Sequence, residues 1–292
     1  MRVTQNMLSN NMLRNLSNSY SNLDKYMEQL STGKKISRPS QDPVVAMKGM
    51  GYRSEVSNVE QYQRNVSEVH NWLDNSDASL DETNQALQKL RELTVQASND
   101  TYGEEERANI AAEVDQLKLQ LEGIKNTKVN DKYLFNGTNT TEEPPAGGFD
   151  AATPETTNDV LIEVSTGTKL KVNVSGEDIF SKELFDDIDA LSTALKSGTT
   201  GEDLDDYIST IDGHVDNVIN ERADVGARMN RVDLIEDRLA NQEIAAKSMM
   251  SDNEDADIEK VIINLTAQES VHRAALSAGS RVIQPTLLDF LR

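Results

Sequence analysis

Apolar residues recur every seven positions along much of this chain, and that spacing constrains its fold more than any other feature. In the first segment Leu13, Leu16, Tyr20, Leu23, Met27 and Leu30 follow alternating steps of three and four. Asn, Ser, Asp, Glu and Lys fill most positions between them, so the spacing predicts a coiled-coil seam. A helix over residues 1–30 would be about 45 Å long, with an apolar stripe only one side chain wide. Such a helix cannot cover its own stripe and requires a partner.

A break follows at Thr32-Gly33-Lys34-Lys35 and Ser37-Arg38-Pro39-Ser40-Gln41-Asp42-Pro43. Asp42 before Pro43 reads as a helix N-cap followed by proline at the first helical position. From there a second repeat runs through Val45, Tyr52, Val59, Val66, Leu73, Leu80, Leu87 and Thr94, with companions Tyr62, Val69, Thr83, Leu90 and Ala97. This predicts a long helix ending near 98–100, with a kink expected near Gly49 and Gly51. A further helix is expected from the acidic start Gly103-Glu104-Glu105-Glu106, along Ile110, Val114, Leu117, Leu121 and Ile124. The short connection implies an antiparallel hairpin.

The chain then changes character. Tyr133 to Thr138 reads as a strand and a turn, residues 139–158 as a loop, and Val160–Val164 with Lys169–Val174 as a β-hairpin about Thr166-Gly167-Thr168. A short helix is expected over Phe185–Leu195. Helical spacing returns in Val218, Val225, Val232 and Leu239, with Val215 and Met229 on the same face. An acidic run at 252–257 interrupts it and reads as a solvated loop. The pattern resumes at Ile258, Val261, Ile262 and Leu265, and ends on Leu276, Ile283 and the apolar tail Leu287, Leu288, Phe290 and Leu291. The expected fold is mainly α: a long antiparallel coiled-coil-like helical bundle with a small β-rich inserted domain. The expected segments are 1–42, a rod split between 43–130 and 184–258, a β insert at 131–183, and 259–292.

Composition narrows the function. The net charge of −21 argues against nucleic acid, whose binding requires clustered Lys and Arg. The charge is uneven: residues 1–53 hold 8 basic and 3 acidic side chains and residues 265–292 hold 3 and 2, so the negative excess lies in the middle. An acidic middle suits a solvated surface, while both ends look reserved for contacts. Absence of cysteine excludes disulfides, zinc–thiolate sites and thiol catalysis. No apolar run is long enough to span a membrane, and the N-terminus has no apolar signal region.

No motif for phosphate binding, metalloprotease or serine hydrolase chemistry occurs. The run 252–257 lacks the glycine and spaced glutamate of a calcium loop. His70, His214 and His272 fall on separate helices with no shared motif, and Trp72 reads as a packing residue beside Leu73. No catalytic residue, cofactor or metal is expected. From the residues alone, a self-assembling subunit competes with a helical enzyme and with a soluble coiled-coil scaffold.

Leu30-Ser31-Thr32-Gly33-Lys34-Lys35-Ile36-Ser37 resembles the signature that follows the first helix of the flagellin family. Gly33 belongs to that signature, and the next residues, Pro39-Ser40-Gln41-Asp42-Pro43-Val44, are similar to the hook–filament junction branch of the family, as are Tyr133-Leu134-Phe135-Asn136-Gly137-Thr138 and the tail through Leu291. Gln41 departs from the acidic residue common at that place. The resemblance implies a structural subunit, with Leu13, Leu16, Tyr20, Leu23, Met27, Leu30, Leu276, Ile283, Leu287, Leu288, Phe290 and Leu291 forming assembly contacts. It implies chain ends disordered in the monomer, export without signal cleavage, and an extracellular place in the flagellum. Its implied partners are copies of itself in a ring, the first hook–filament junction protein, flagellin and an export chaperone. A filament flagellin is the alternative within the same family.

Overall fold

A computed structural model describes residues 5–99, 102–150, 158–197 and 201–282. The fold is mainly α. Seven helices appear among the described residues: α1 (Gln5–Thr32), α2 (Pro43–Ala97), α3 (Glu104–Lys125), α4 (Gly176–Ile179), α5 (Lys182–Lys196), α6 (Gly201–Glu254) and α7 (Ile258–Val282). Strands β1 (Lys128–Val129) and β2 (Lys132–Tyr133) pair antiparallel, as do β3 (Leu161–Ser165) and β4 (Thr168–Lys171). The chain divides into an end unit, residues 1–58 with 242–292, and a middle unit, residues 59–241.

In the middle unit the heptad pattern becomes core. Val59, Val66, Leu73, Leu80 and Leu87 of α2 are buried, as are Val69, Leu90 and Ala97, and Val218, Val225, Val232 and Leu239 answer from α6. Each such aliphatic side chain removed from water contributes about 1.5–3 kcal/mol. Polar residues on the stripe are satisfied within their own helix: the hydroxyls of Ser76, Thr83 and Thr94 donate to the carbonyls of Trp72, Ser79 and Leu90, each at 2.8 Å. Trp72 is in the core, as its place beside Leu73 suggests.

Cross-links set the register. Arg91 meets Asp212, Arg222 meets Asp77 at 2.7 Å and also Asp81, and His70 meets Glu236 at 3.1 Å. The order reverses from one helix to the other, so these stretches of α2 and α6 run antiparallel. Exposed ion pairs of this kind contribute about 0–1 kcal/mol each, so the core carries the stability. Helix α3 packs on α5, where Asp115 accepts from Ser192 at 2.6 Å and Lys196 at 2.8 Å.

The insert adds its own apolar side chains to this core. Phe135, Phe149, Val164, Leu170, Val172, Val174 and Phe180 belong to the same buried cluster as α2 and α6. Phe135 meets Phe180 edge-on, with ring centroids 5.0 Å apart. Gly176 is required beneath them: a Cβ there would stand 2.3 Å from Phe149 and 2.4 Å from the Phe135 carbonyl oxygen. The hairpin turns at Gly167, with φ +73°, near its expected place.

Two details differ from expectation. The strand at 133 stops at Tyr133, and 134–138 bend away. A tight hairpin at Asn130-Asp131 was not foreseen. Both residues have positive φ, 51° and 62°, the backbone that a two-residue turn matching strand twist demands.

Candidate assembly surface

The end unit joins the two chain ends. Helices α1 and α7 pack antiparallel: Ser19 accepts from Gln268 at 2.9 Å, the Tyr20 and His272 rings lie 6.1 Å apart, and the Met12 side chain lies over Gly279. The less exposed line on α1 is Met12, Leu16, Ser19, Leu23 and Tyr26, again in steps of four and three. On α7 it is Val261, Leu265, Gln268, His272, Ala275 and Gly279.

Only part of the expected seam is the line that meets α7. Leu16 and Leu23 lie half-buried on the covered line, but Leu13, Tyr20, Met27 and Leu30 do not. They are 54%, 68%, 59% and 39% exposed, forming a second apolar stripe beside the first. Positions 12 and 13, 19 and 20, and 26 and 27 are adjacent on the helix, so two stripes about 100° apart share Leu16 and Leu23. Only one can face α7. Ser19 and Gly279 on the covered line let the backbones approach, whereas a search for large apolar residues passes over them. Leu276 is exposed at 48%, as are Ile263 at 66% and Val271 at 58%. Ile283, Leu287, Leu288, Phe290 and Leu291 lie outside the described residues.

A clasp closes the same unit where α1 ends and α7 begins. Gly33 adopts φ +67° and its N–H donates to the Gln29 carbonyl at 2.9 Å, capping α1. The next residues pair with the α6–α7 junction: Lys35 N–H donates to the Glu254 carbonyl at 2.7 Å, and Ala256 N–H to the Gly33 carbonyl at 2.8 Å. The acidic run expected as a solvated loop is therefore part of the structure. Helix α6 continues to Glu254, which is 5% exposed, because Arg53 at 2.7 Å and Lys34 at 3.5 Å compensate its charge. Lys34 also meets Asp255 at 2.6 Å.

These contacts move the titrations. The Arg53 hydrogen bond, opposed by burial and helped by the Lys34 charge, holds Glu254 below its ordinary 4.5. Lys34 and Ser251 hold Asp255 below 3.8, and Asp255 in turn holds Lys34 above 10.5.

The signature residues have local roles. The Asp42 carboxylate accepts from the N–H groups of Val44 at 3.0 Å and Val45 at 3.1 Å, and Pro43 opens α2, as the N-cap reading expected. Pro39 lines a small pocket with Ile36, Val45, Met50 and Arg53. Gln41 accepts from Ser37 N–H at 2.8 Å and donates to Glu28 at 3.1 Å. An acidic residue at 41 would repel Glu28, whose carboxyl is held low by the Ser37 and Gln41 hydrogen bonds. Helix α2 runs without interruption through Gly49 and Gly51, where a kink was expected. Gly49 serves proximity, since a Cβ there would stand 2.6 Å from Glu254 Oε1.

The fold and this surface define a class: a mainly helical chain whose two ends pair with each other while long middle helices carry a small β insert. The chain belongs to the flagellin family, matching the bacterial flagellin N-terminal helical region over residues 3–140 and the C-terminal helical region over 208–291. It is similar to flagellar hook-associated protein 3 of Escherichia coli, 23% identical over 95% of this chain and 96% of that one. It is also similar to flagellin of Bacillus subtilis, 25% identical over all of both chains. The solved structure of Bacillus cereus FlgL covers 69% of this chain and 99% of its own, at 25% identity and a TM-score of 0.59. No described helix is long and apolar enough to cross a membrane.

Proposed function

We infer that this chain is a structural subunit of the bacterial flagellum that acts at the hook–filament junction. The observation that carries the reading is the second stripe of α1, Leu13, Tyr20, Met27 and Leu30, left in water after α1 and α7 have paired. Monomeric proteins bury such lines, and an exposed one beside a formed seam marks a contact with another chain. Copies of this chain in a ring cover it, together with exposed residues of α7 such as Leu276. The likeness to hook-associated protein 3 and to solved FlgL supports the junction, and Pro39 and Pro43 support it over the filament. Neighbouring tiers are the first hook–filament junction protein on one side and flagellin on the other.

The α1–α7 pair becomes firm only on joining the assembly, since Leu13, Tyr20, Met27 and Leu30 stay exposed in a single copy, while the clasp of Gly33 and Lys35 with Glu254 and Ala256 forms without it. The tail with Ile283, Leu287, Leu288, Phe290 and Leu291 joins the same contacts and, before export, binds a chaperone. Export precedes assembly, leaves no cleaved signal, and places the subunit outside the cell. No reaction is catalysed; shape and hydrophobic complementarity decide which neighbour is accepted.

A strain lacking this chain and complemented with variants deleted for residues 1–30 or 270–292 tests the reading. Electron microscopy should show hooks without filaments and flagellin lost to the medium, while each truncated protein stays soluble. Filaments on a truncated subunit refute it. The second reading, filament flagellin, is favoured by the full-length Bacillus subtilis match. Purified protein that grows long filaments alone would establish that reading instead.

A further inference from the structure

We propose that His70, Asp233 and Glu236 form a divalent transition-metal site tying α2 to α6 within the middle unit. Among the described residues they are the one set of three or more His, Cys, Asp or Glu whose ligand atoms all lie within 4.8 Å of one another. His70 Nε2 stands 3.1 Å from Glu236 Oε2 and 3.7 Å from Asp233 Oδ1. Ligands bound about 2.0–2.2 Å from a common zinc ion sit roughly 3–3.5 Å from each other, so little movement brings all three onto one ion.

Charge points the same way. Asp233 and Glu236 are three residues apart and share a face of α6, so their carboxylates repel. Among the described residues the only ion-pair partner of either is His70. One imidazole nitrogen and two carboxylate oxygens are all ligand atoms for a divalent ion, which satisfies the three groups together. The carboxylates are 65% and 60% exposed, against 26% for His70, leaving coordination positions open to water. One nitrogen among the ligands favours zinc, cobalt or nickel over calcium and magnesium, which prefer oxygen alone. His70 and Glu236 are 166 residues apart in sequence. The unfolded chain therefore has no such site, and binding adds only to the folded state. The bland reading, a plain histidine–carboxylate hydrogen bond, predicts no metal response.

The test uses the full chain stripped with EDTA and melted with and without zinc chloride, beside calcium and magnesium chloride. Two variants accompany it: His70→Ala, and the double change Asp233→Asn with Glu236→Gln. Each variant's own metal-free melting temperature is its baseline, so loss of the hydrogen bond does not obscure the result. Saturating zinc should raise the wild-type melting temperature by several degrees, reversibly with EDTA. Both variants should lose that shift, and calcium and magnesium should produce none. The proposal is overturned if zinc leaves the wild type unmoved, if His70→Ala keeps the full shift, or if calcium matches zinc.

Discussion

The two units read the same heptad repeat differently. In the middle unit the stripe of α2 is sealed from Val59 to Thr94, answered by Val218, Val225, Val232 and Leu239 of α6 and by the phenylalanines of the insert. In the end unit Val45 and Tyr52 are only half-buried, Val44, Met47 and Met50 are exposed, and α1 and α7 each keep apolar residues in water. One unit completes its core inside a single chain; the other stops partway. Period seven therefore announces that a helix needs partners, and the number of partners available in one chain decides whether the subunit is finished.

If that contrast is sound, substitutions should separate the units by stability. The largest effect belongs to Leu87→Ala, fully buried in the middle core, which should lower unfolding free energy by about 2–5 kcal/mol in urea titration. Gly176→Ala should cost about 1–3 kcal/mol, because the new methyl meets Phe149 and a carbonyl that cannot yield; no loss there would mean that the insert is loosely attached.

Glu254→Gln should cost about 1–2 kcal/mol, read by amide exchange in the end unit with the middle unit unchanged. The same clasp has a pH signature. Glu254 and Asp255 have lowered pKa values, so their stabilisation is complete above about 4.5 and is lost as pH falls through the lowered values. Lys34 is raised, so its share is complete below 10.5 and is lost only as pH climbs past its raised value. Exchange at Lys35 and Ala256 should therefore quicken on acidification well before the middle core opens, and Glu254→Gln should flatten that acid limb. Equal acid sensitivity in both units would sink the account of the clasp.

The smallest effect on the monomer belongs to Leu13→Ala and Tyr20→Ala, within about 0.5 kcal/mol by thermal melt. Motility and filament counts should fall all the same. A change that destabilised the monomer by several times this amount would put Leu13 and Tyr20 inside the subunit's own core.

Local signals were legible in the sequence. Asp42-Pro43 starts α2, Glu104 to Glu106 open α3, and alternating apolar residues about Gly167 make the hairpin, because caps, turns and periodicity act over a few residues. The turn at Asn130-Asp131 was equally local and lay hidden in a segment without long apolar runs. Glu254 could not be read: a carboxylate in an acidic run looks solvated until Arg53 and Lys34 arrive from the other end of the chain. The grouping of His70 with Asp233 and Glu236 is of the same kind.

By itself the sequence determined that long helices form, where α2 and α3 begin, that each carries an apolar stripe too narrow to stand alone, and that the two chain ends differ in charge from the middle. Only the tertiary structure decided which of two neighbouring stripes on α1 meets α7 and which is left to water. Spacing along one helix is a property of its own backbone, whereas small residues such as Ser19 and Gly279 favour one face only once both helices are present to approach.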